Sequence, residues 1–367
     1  MPFSKANAKV LLAGRIFQTG VQILWKTGKI LNRLLFLCAN EQSTTMQAKI
    51  TALGTYVPER IVDNHYFETF IDTNDEWIVS RTGIRTRRYA AEHEYTSHLC
   101  VAAAKNMVEE NLVVLDDVDF VLVATVTPDQ TMPSVATQVQ DKLGLTHAGA
   151  LDISAACAGF AYGIILAQGL IAAGTHRKVL VFGAETLSKF TNFEDRTSCI
   201  LFGDGAGAVL VEAAAEGNIR AVVSGSQGDS GKDLYMSNLR KQINGVDIIT
   251  DNKIHQNGRA VFKWAVNTVS SQMSVLAERS GIALEDMDWF IPHSANMRII
   301  EALCTQTGFP IEKTLESISL YGNTSSASIP LALHRGIREG KVKKGDRLLL
   351  IGFGGGLVYA GLVVEWG

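Results

Sequence analysis

Several familiar signatures of specialised chemistry are missing from this chain. Its 367 residues include five cysteines, Cys38, Cys100, Cys157, Cys199 and Cys304, an odd number set far apart with no C-x-x-C pair. That pattern argues against a disulfide framework or a structural zinc site and fits a reducing cytoplasm. The eight histidines include no H-E-x-x-H or other tight pair, so no metal ion is expected. A net charge of -3 gives no broad attraction to nucleic acid, and no nucleic-acid partner is expected. The apolar runs of the leader, such as Leu34 to Ala39, are too short to cross a bilayer, so no membrane span is expected.

What is present is ordinary globular material. Hydrophobic residues make up 47% of the chain and charged residues 19%, and the length suits roughly two domains or one large duplicated unit. Residues 1–45 stand apart: they carry Lys5, Lys9, Arg15, Lys26, Lys29 and Arg33 and no acid before Glu41. Such a leader has the composition of a transit peptide or a surface-seeking helix. The plainer reading is an extension outside the fold, because Met46 directly precedes the strand-like run AKITALGTYVP.

From Met46 onward apolar strand candidates alternate with helical patterns. VDFVLVATVT, GALDIS, KVLVFGAE and GAGAVLVEAA read as strands, and SHLCVAAAKNMVEENL and the run from Phe160 to Ala173 as helices. The alternation predicts an α/β layered fold with buried, mostly parallel strands. A second series of similar order follows a break at Ala213 to Gly217. It suggests a duplicated unit, with residues 46–215 as one half and 216–367 as the other.

Four stretches carry chemistry. In DISAACAGFAYGI, Cys157 follows a strand and precedes an apolar helix, whose amides and dipole would favour a thiolate; the ordinary alternative is a buried structural cysteine. HSAN places His293 after the strand DWFIP and before a helix, where it can exchange a proton or merely cap. YGNTSSAS sets Asn323 between a predicted strand, ESISLY, and a helix, and its amide suits a carbonyl or enolate oxygen as well as a plain turn. GFGGG, Gly352 to Gly356, follows the strand LLLI, but too little chain remains for a dinucleotide fold, so its glycines serve close backbone approach or a tight turn. All four sit at predicted strand ends, where α/β sheets build their active sites.

Two chemistries use Cys, His and Asn in this order. A papain-like peptidase spaces them by roughly 130 to 150 residues, but its local signature and secretory signal are missing and the α/β alternation is the wrong architecture. The other chemistry is thiol-dependent carbon–carbon bond formation. The stretch from Met46 to Gly367 resembles the β-ketoacyl-acyl carrier protein synthase III family, through DEWIVSRTGIRTRR, DISAACAGFAYG, FGDGAGA, HSANMRII, GNTSSASIP and GFGGG in family order.

The resemblance implies a thiolase-like fold with a duplicated, five-layered αβαβα architecture, a homodimer, and no cofactor beyond coenzyme A thioester as substrate. It implies that Cys157 takes the primer from acyl-CoA and that His293 and Asn323 support decarboxylation of malonyl-acyl carrier protein. The amides of Cys157 and Gly355 would form an oxyanion hole, with Phe353 as an aromatic gate. Trp77, Arg81, Arg196, Asn257 and Gly258 match coenzyme A positions, and Lys263 and Arg298 match the carrier-protein patch. Thr305 and Gln306 stand where many relatives have lysines. Met132, Leu187 and Phe202 match walls of the acyl pocket, with Met132 reaching into the partner, and methionine there predicts branched or longer primers. Two further readings are a condensing or acyl-transfer enzyme with another acceptor, and a non-catalytic acyl-CoA-binding module. Cys100, Cys199 and Cys304 read as core, and Asp204 as a turn-former.

Overall fold

The structure, a computed structural model, describes residues 46–367; the expectation for the leader lies outside them. In chain order the strands are β1 (Gln47–Tyr56), β2 (Arg60–Asp63), β3 (Thr86–Tyr89), β4 (Phe120–Ala124), β5 (Gly149–Ile153), β6 (Lys178–Thr186), β7 (Asp204–Ala214), β8 (Ile219–Ser226), β9 (Leu234–Met236), β10 (Gln242–Ile243), β11 (Val246–Asp247), β12 (Ile254–Gln256), β13 (Trp289–Pro292), β14 (Arg347–Gly354) and β15 (Val358–Glu365). Two sheets organise the molecule, one in the order β1-β7-β6-β4-β5 and one in the order β13-β14-β15-β8.

The middle of the structure follows from sequences that are apolar almost all round. Helix Gly159–Ala172, GFAYGIILAQGLIA, has no charged residue and is packed between the sheets, as an all-apolar helix must be. Helix Ser328–Arg338 joins it there with Ile329, Ala332 and Leu333, and turns Arg335 and Arg338 outward in its last turn. Helices Thr96–Asn111 and Val135–Lys142 cover the outer face of the first sheet; Gly258–Ser280 and Met297–Thr307 cover that of the second. These are the five αβαβα layers expected.

Two expectations require correction. The strands are not mostly parallel: β4 is parallel to β5 and β6, and β13 to β14, but β7 runs antiparallel to β1 and β6, and β15 to β14 and β8. β6 is buried along its whole length, and a strand buried on both faces shows no alternation from which to read its direction. The predicted strand ESISLY is instead the short helix Ile318–Tyr321, ended by Gly322 at φ +67°. A four-residue apolar run carries no decisive period. Asn323 is placed by a single parallel bridge to Phe202: its N–H donates to the Leu201 carbonyl (2.8 Å) and its carbonyl accepts from Gly203 N–H (3.0 Å).

Candidate active site

A cavity of about 1550 Å³ opens between the sheets, and Cys157, His293, Asn323, Phe353 and Gly355 all line it. Cys157 lies in the turn Ala156–Ala158, directly before helix Gly159–Ala172. The preceding Ala156 has φ +44°, a left-handed conformation unusual for a residue with a side chain. Glycines let backbone close around this turn. A Cβ on Gly352 would sit 2.6 Å from the Cys157 carbonyl oxygen, and one on Gly354 would sit 2.9 Å from Sγ itself.

The thiolate expected at the helix start is not what this setting favours in the free protein. Burial pushes the Cys157 thiol up to about 12, with the Glu185 carboxylate adding to the rise and a hydrogen bond with Ser325 opposing it.

His293 is 1% exposed and follows β13, its N–H donating to the Ile351 carbonyl (2.8 Å). Burial drives its pKa down to about 3, so the ring is neutral. Its Nδ1 lies 2.7 Å from Ser328 Oγ, and the Phe353 ring stands edge-on to it with centroids 5.3 Å apart. Ser328 has one hydroxyl proton, within reach of both His293 Nδ1 and the Ser325 carbonyl (2.8 Å). Ser328 Oγ donates to the Ser325 carbonyl, and a hydrogen bond from the ring to the Ser325 backbone opposes the fall in the His293 pKa.

Asn323 is oriented by its own loop. Its Oδ1 accepts Ser325 N–H (2.9 Å), which fixes the amide so that the Nδ2 donors remain for another acceptor. The cavity floor therefore presents a sulfur nucleophile, a neutral imidazole and an amide, with no metal cluster among the described residues.

The other predicted residues divide by position. Leu187 and Phe202 are buried in the cavity wall, and Arg81, Gly258 and Arg298 line its outer part. Trp77, one turn before Arg81 on helix Asp75–Thr82, lies under Arg196, whose Cζ is 4.9 Å from the ring centroid. Asn257 is not a lining residue. Its side chain caps helix Gly258–Ser280 through Ala260 N–H (3.3 Å) and donates to Asp233 (3.2 Å). Lys263 is exposed on the same helix. Met132 lines nothing in this chain's own cavity and is 83% exposed.

Cys100, Cys199 and Cys304 are buried, as expected. Asp204 opens β7 and accepts from Ala90 N–H, Ser188 N–H and Ser188 Oγ; burial raises it to about 6. It ties loops together rather than facing the cavity. The sequence reading singled out GFGGG as a whole and gave no role of their own to Ser325, Ser328 or Glu185. Ser325 and Ser328 lie within the polar loop YGNTSSAS, and Glu185 closes the otherwise apolar strand KVLVFGAE.

Comparison with known proteins identifies the family. Residues 151–228 match the family model described as 3-oxoacyl-[acyl-carrier-protein (ACP)] synthase III, and residues 277–366 match its C-terminal counterpart. The chain is 53% identical over 322 residues to β-ketoacyl-[acyl-carrier-protein] synthase III 2 of Bacillus subtilis, covering 88% of this chain and 99% of that one. It is 52% identical over 323 residues to the protein of the same name from Halalkalibacterium halodurans, covering 87% and 97%. Among solved structures, a β-ketoacyl-[acyl carrier protein] synthase III from Thermus thermophilus superposes with a TM-score of 0.84 at 43% identity, covering 87% of this chain and 99% of that one.

Proposed function

The chain belongs to the β-ketoacyl-[acyl-carrier-protein] synthase III family and is an acyltransferase of fatty acid initiation; we propose that Cys157, His293 and Asn323 carry its condensation reaction. The observation that supports this assignment is their convergence on one cavity, from three separate segments of the chain. We read residues 46–215 as the half that carries the nucleophile and 216–367 as the half that carries His and Asn.

In this reading the Cys157 sulfur attacks the thioester carbonyl of an acyl-CoA primer. The amides of Cys157 and Gly355 receive the oxyanion, and the acyl group remains on sulfur. Malonyl-acyl carrier protein then enters, and its carboxylate leaves as carbon dioxide from a site sheltered by Phe353. The electron pair moves onto the thioester oxygen as an enolate. The Asn323 amide and the neutral His293 imidazole face that oxygen, two neutral donors that stabilise the charge without protonating the carbon. The enolate carbon attacks the acyl-cysteine and releases the β-ketoacyl product. Coenzyme A thioester is consumed as substrate, and no cofactor enters.

At the mouth, the Trp77 indole and the Arg196 guanidinium now resting on it are flat surfaces that would part to stack on a purine, and Arg81 is a partner for phosphate. Gly258 marks the start of the channel between. Lys263 and Arg298 are the docking charges for an acidic carrier protein. The acyl group lies toward Leu187 and Phe202.

We assign the second wall of that pocket to a second copy of the chain. Among the described residues β5 pairs only with β4 and leaves its other edge open, with Leu151 42%, Leu166 43% and Met132 83% exposed. An open edge beside exposed apolar side chains is a template for pairing. No helix among the described residues is long and apolar enough to cross a membrane, and we place the enzyme in the cytoplasm.

The test is intact mass spectrometry after incubation with straight and branched acyl-CoAs. One acyl mass per chain, absent in Cys157→Ser, is expected, with branched primers among those accepted. An adduct that persists in Cys157→Ser overturns the assignment, and acylation by acetyl-CoA alone overturns the primer reading.

A further inference from the structure

Asn323 and His293 are both tied to one residue, Ser325, whose three polar groups are all engaged. Its N–H donates to Asn323 Oδ1 (2.9 Å), its carbonyl accepts from Ser328 Oγ (2.8 Å), and its own Oγ donates to Glu185 Oε1 (3.1 Å). Ser328 Oγ in turn lies 2.7 Å from His293 Nδ1. The peptide groups on the two sides of Ser325 therefore set the amide on one hand and the imidazole on the other. The backbone here stands at φ +48°, a region that a residue with a side chain leaves unless its surroundings over-determine it. Of the three bonds, only the one to Glu185 reaches outside the segment from Asn323 to Ser328.

Glu185, next to the end of β6, is fully buried and is itself held from the opposite side. Its Oε2 accepts from Thr127 Oγ1 (2.7 Å), Thr125 Oγ1 (3.1 Å) and Val126 N–H (3.1 Å), all from the loop that follows β4. Its Oε1 faces Ser326 Oγ (3.2 Å) as well as Ser325, and Ser326 Oγ also reaches the Ala124 carbonyl (3.0 Å). These five donors are hydroxyls and a backbone amide, with no cation among them. Burying a carboxyl in such company is costly. What it accomplishes here is a clamp that joins β6, the loop after β4 and the loop of Asn323.

We propose that Glu185 is a positioning residue for decarboxylation: through Ser325 it fixes the Asn323 amide and, by way of Ser328, the His293 ring where they receive the enolate oxygen. The inference rests on reading Asn323 and His293 as the decarboxylating pair. Glu185 touches no reacting atom and no bond is made or broken at it, so its reach matters and its charge does not. Glutamine keeps that reach. Its Oε1 can accept from Thr127, Thr125 and Val126 while its amide donates to the Ser325 and Ser326 hydroxyl oxygens, with the Ser326 proton turned to the Ala124 carbonyl. Aspartate, one methylene shorter, cannot span both sets of partners, and alanine holds neither. Cys157 and Gly355 stand on other segments, so acylation lies outside the hold of this clamp.

The experiment measures two half-reactions separately in wild type, E185A, E185D and E185Q. One is the acylation rate of Cys157 by acyl-CoA; the other is single-turnover release of carbon dioxide from carboxyl-labelled malonyl-acyl carrier protein by the acylated enzyme. E185A should slow carbon dioxide release by about 10- to 10²-fold, the scale of a displacement of about 1 Å in a reacting group, with acylation little changed. E185D should slow the same step, and E185Q should recover most of what E185A loses. A clamp that serves only the fold lowers both half-reactions by one factor, and that outcome overturns the proposal. So does unchanged carbon dioxide release in E185A, or an E185Q enzyme as slow as E185A, which would make charge the requirement. Should E185A fail to fold, E185D set against E185Q carries the same comparison. S325A tests the connection: carbon dioxide release in E185A/S325A, or E185D/S325A, should be no slower than in the slower single variant, and losses that multiply overturn the path through Ser325. Asn323→Ala in the same assay separates the two inferences. Wild-type carbon dioxide release there overturns the role of Asn323 and this inference with it, whereas a slow Asn323→Ala beside an unaffected E185A overturns this inference alone.

Discussion

At the floor of the cavity His293 and Asn323 are each less than a tenth exposed, and the partners that hold them are backbone groups and a serine hydroxyl. At the mouth Arg81, Arg196, Lys263 and Arg298 are exposed, and Arg196 rests on an indole face and an Asp72 carboxylate 3.9 Å away. The floor acts through neutral dipoles held still in a dry place, where each hydrogen bond is worth more than in water. The mouth acts through full charges in solvent, which attract over a distance but are weakened by salt. Floor residues should therefore govern turnover, and mouth residues should govern affinity.

The largest expected effect is at Gly354. Alanine there brings a methyl group 2.9 Å from Sγ, and since a displacement of about 1 Å in a reacting group can cost 10²-fold, acylation should fall by at least that order. Burst kinetics with acyl-CoA measure it, and a near wild-type burst would mean the turn can yield. Asn323→Ala removes one enolate donor and should lower the condensation kcat by about 10²- to 10³-fold while the acyl-enzyme still forms. Equal losses in both half-reactions would instead mark Asn323 as a loop brace.

The protonation of His293 gives a test on the same floor. With its pKa depressed to about 3, malonyl decarboxylation should show no histidine limb near 6.5. The sign for stability follows: the unfolded chain binds a proton below its ordinary histidine pKa of about 6.5 and the folded ring does not, so His293's contribution falls as pH drops from there toward 3. Chemical denaturation at stepped pH should show less of this loss in His293→Gln.

Mouth variants should be milder and should appear in KM. Trp77→Ala removes a stacking surface worth about 0.5 to 2 kcal/mol and should raise the acyl-CoA KM roughly 2- to 30-fold, with kcat little changed. Lys263→Ala should have the smallest effect, a few-fold rise in carrier-protein KM that disappears at about 1 M salt, where the screening length is about 3 Å. A kcat loss in either variant would break the division between floor and mouth.

The sequence reading reached the floor better than the mouth, for a physical reason. Cys157, His293 and Gly352 to Gly356 lie where apolar runs stop, and such stops are visible in one dimension. Asn323 was found despite a wrong element before it, because GNTSSAS is polar whether a strand or a helical turn precedes it. Strand direction in β6 and β7 was hidden by burial on both faces. Asn257 proved to be a cap because a helix starts at the next residue, which spacing alone could not distinguish from a channel position. Glu185 and Ser325 meet across a long stretch of chain, and only the folded molecule shows that contact.

The close packing of main chain around Cys157 bears on how the protein could change. Besides Gly352 and Gly354, Gly183 lies against the Ser326 carbonyl, so a side chain at any of these positions would collide with backbone that carries the site. An inhibitor that leaned on this main chain would touch a surface that mutation has little freedom to redraw. Drug resistance would then have to arise farther out, at residues such as Phe202 or Met236, where a side chain rather than the backbone forms the wall.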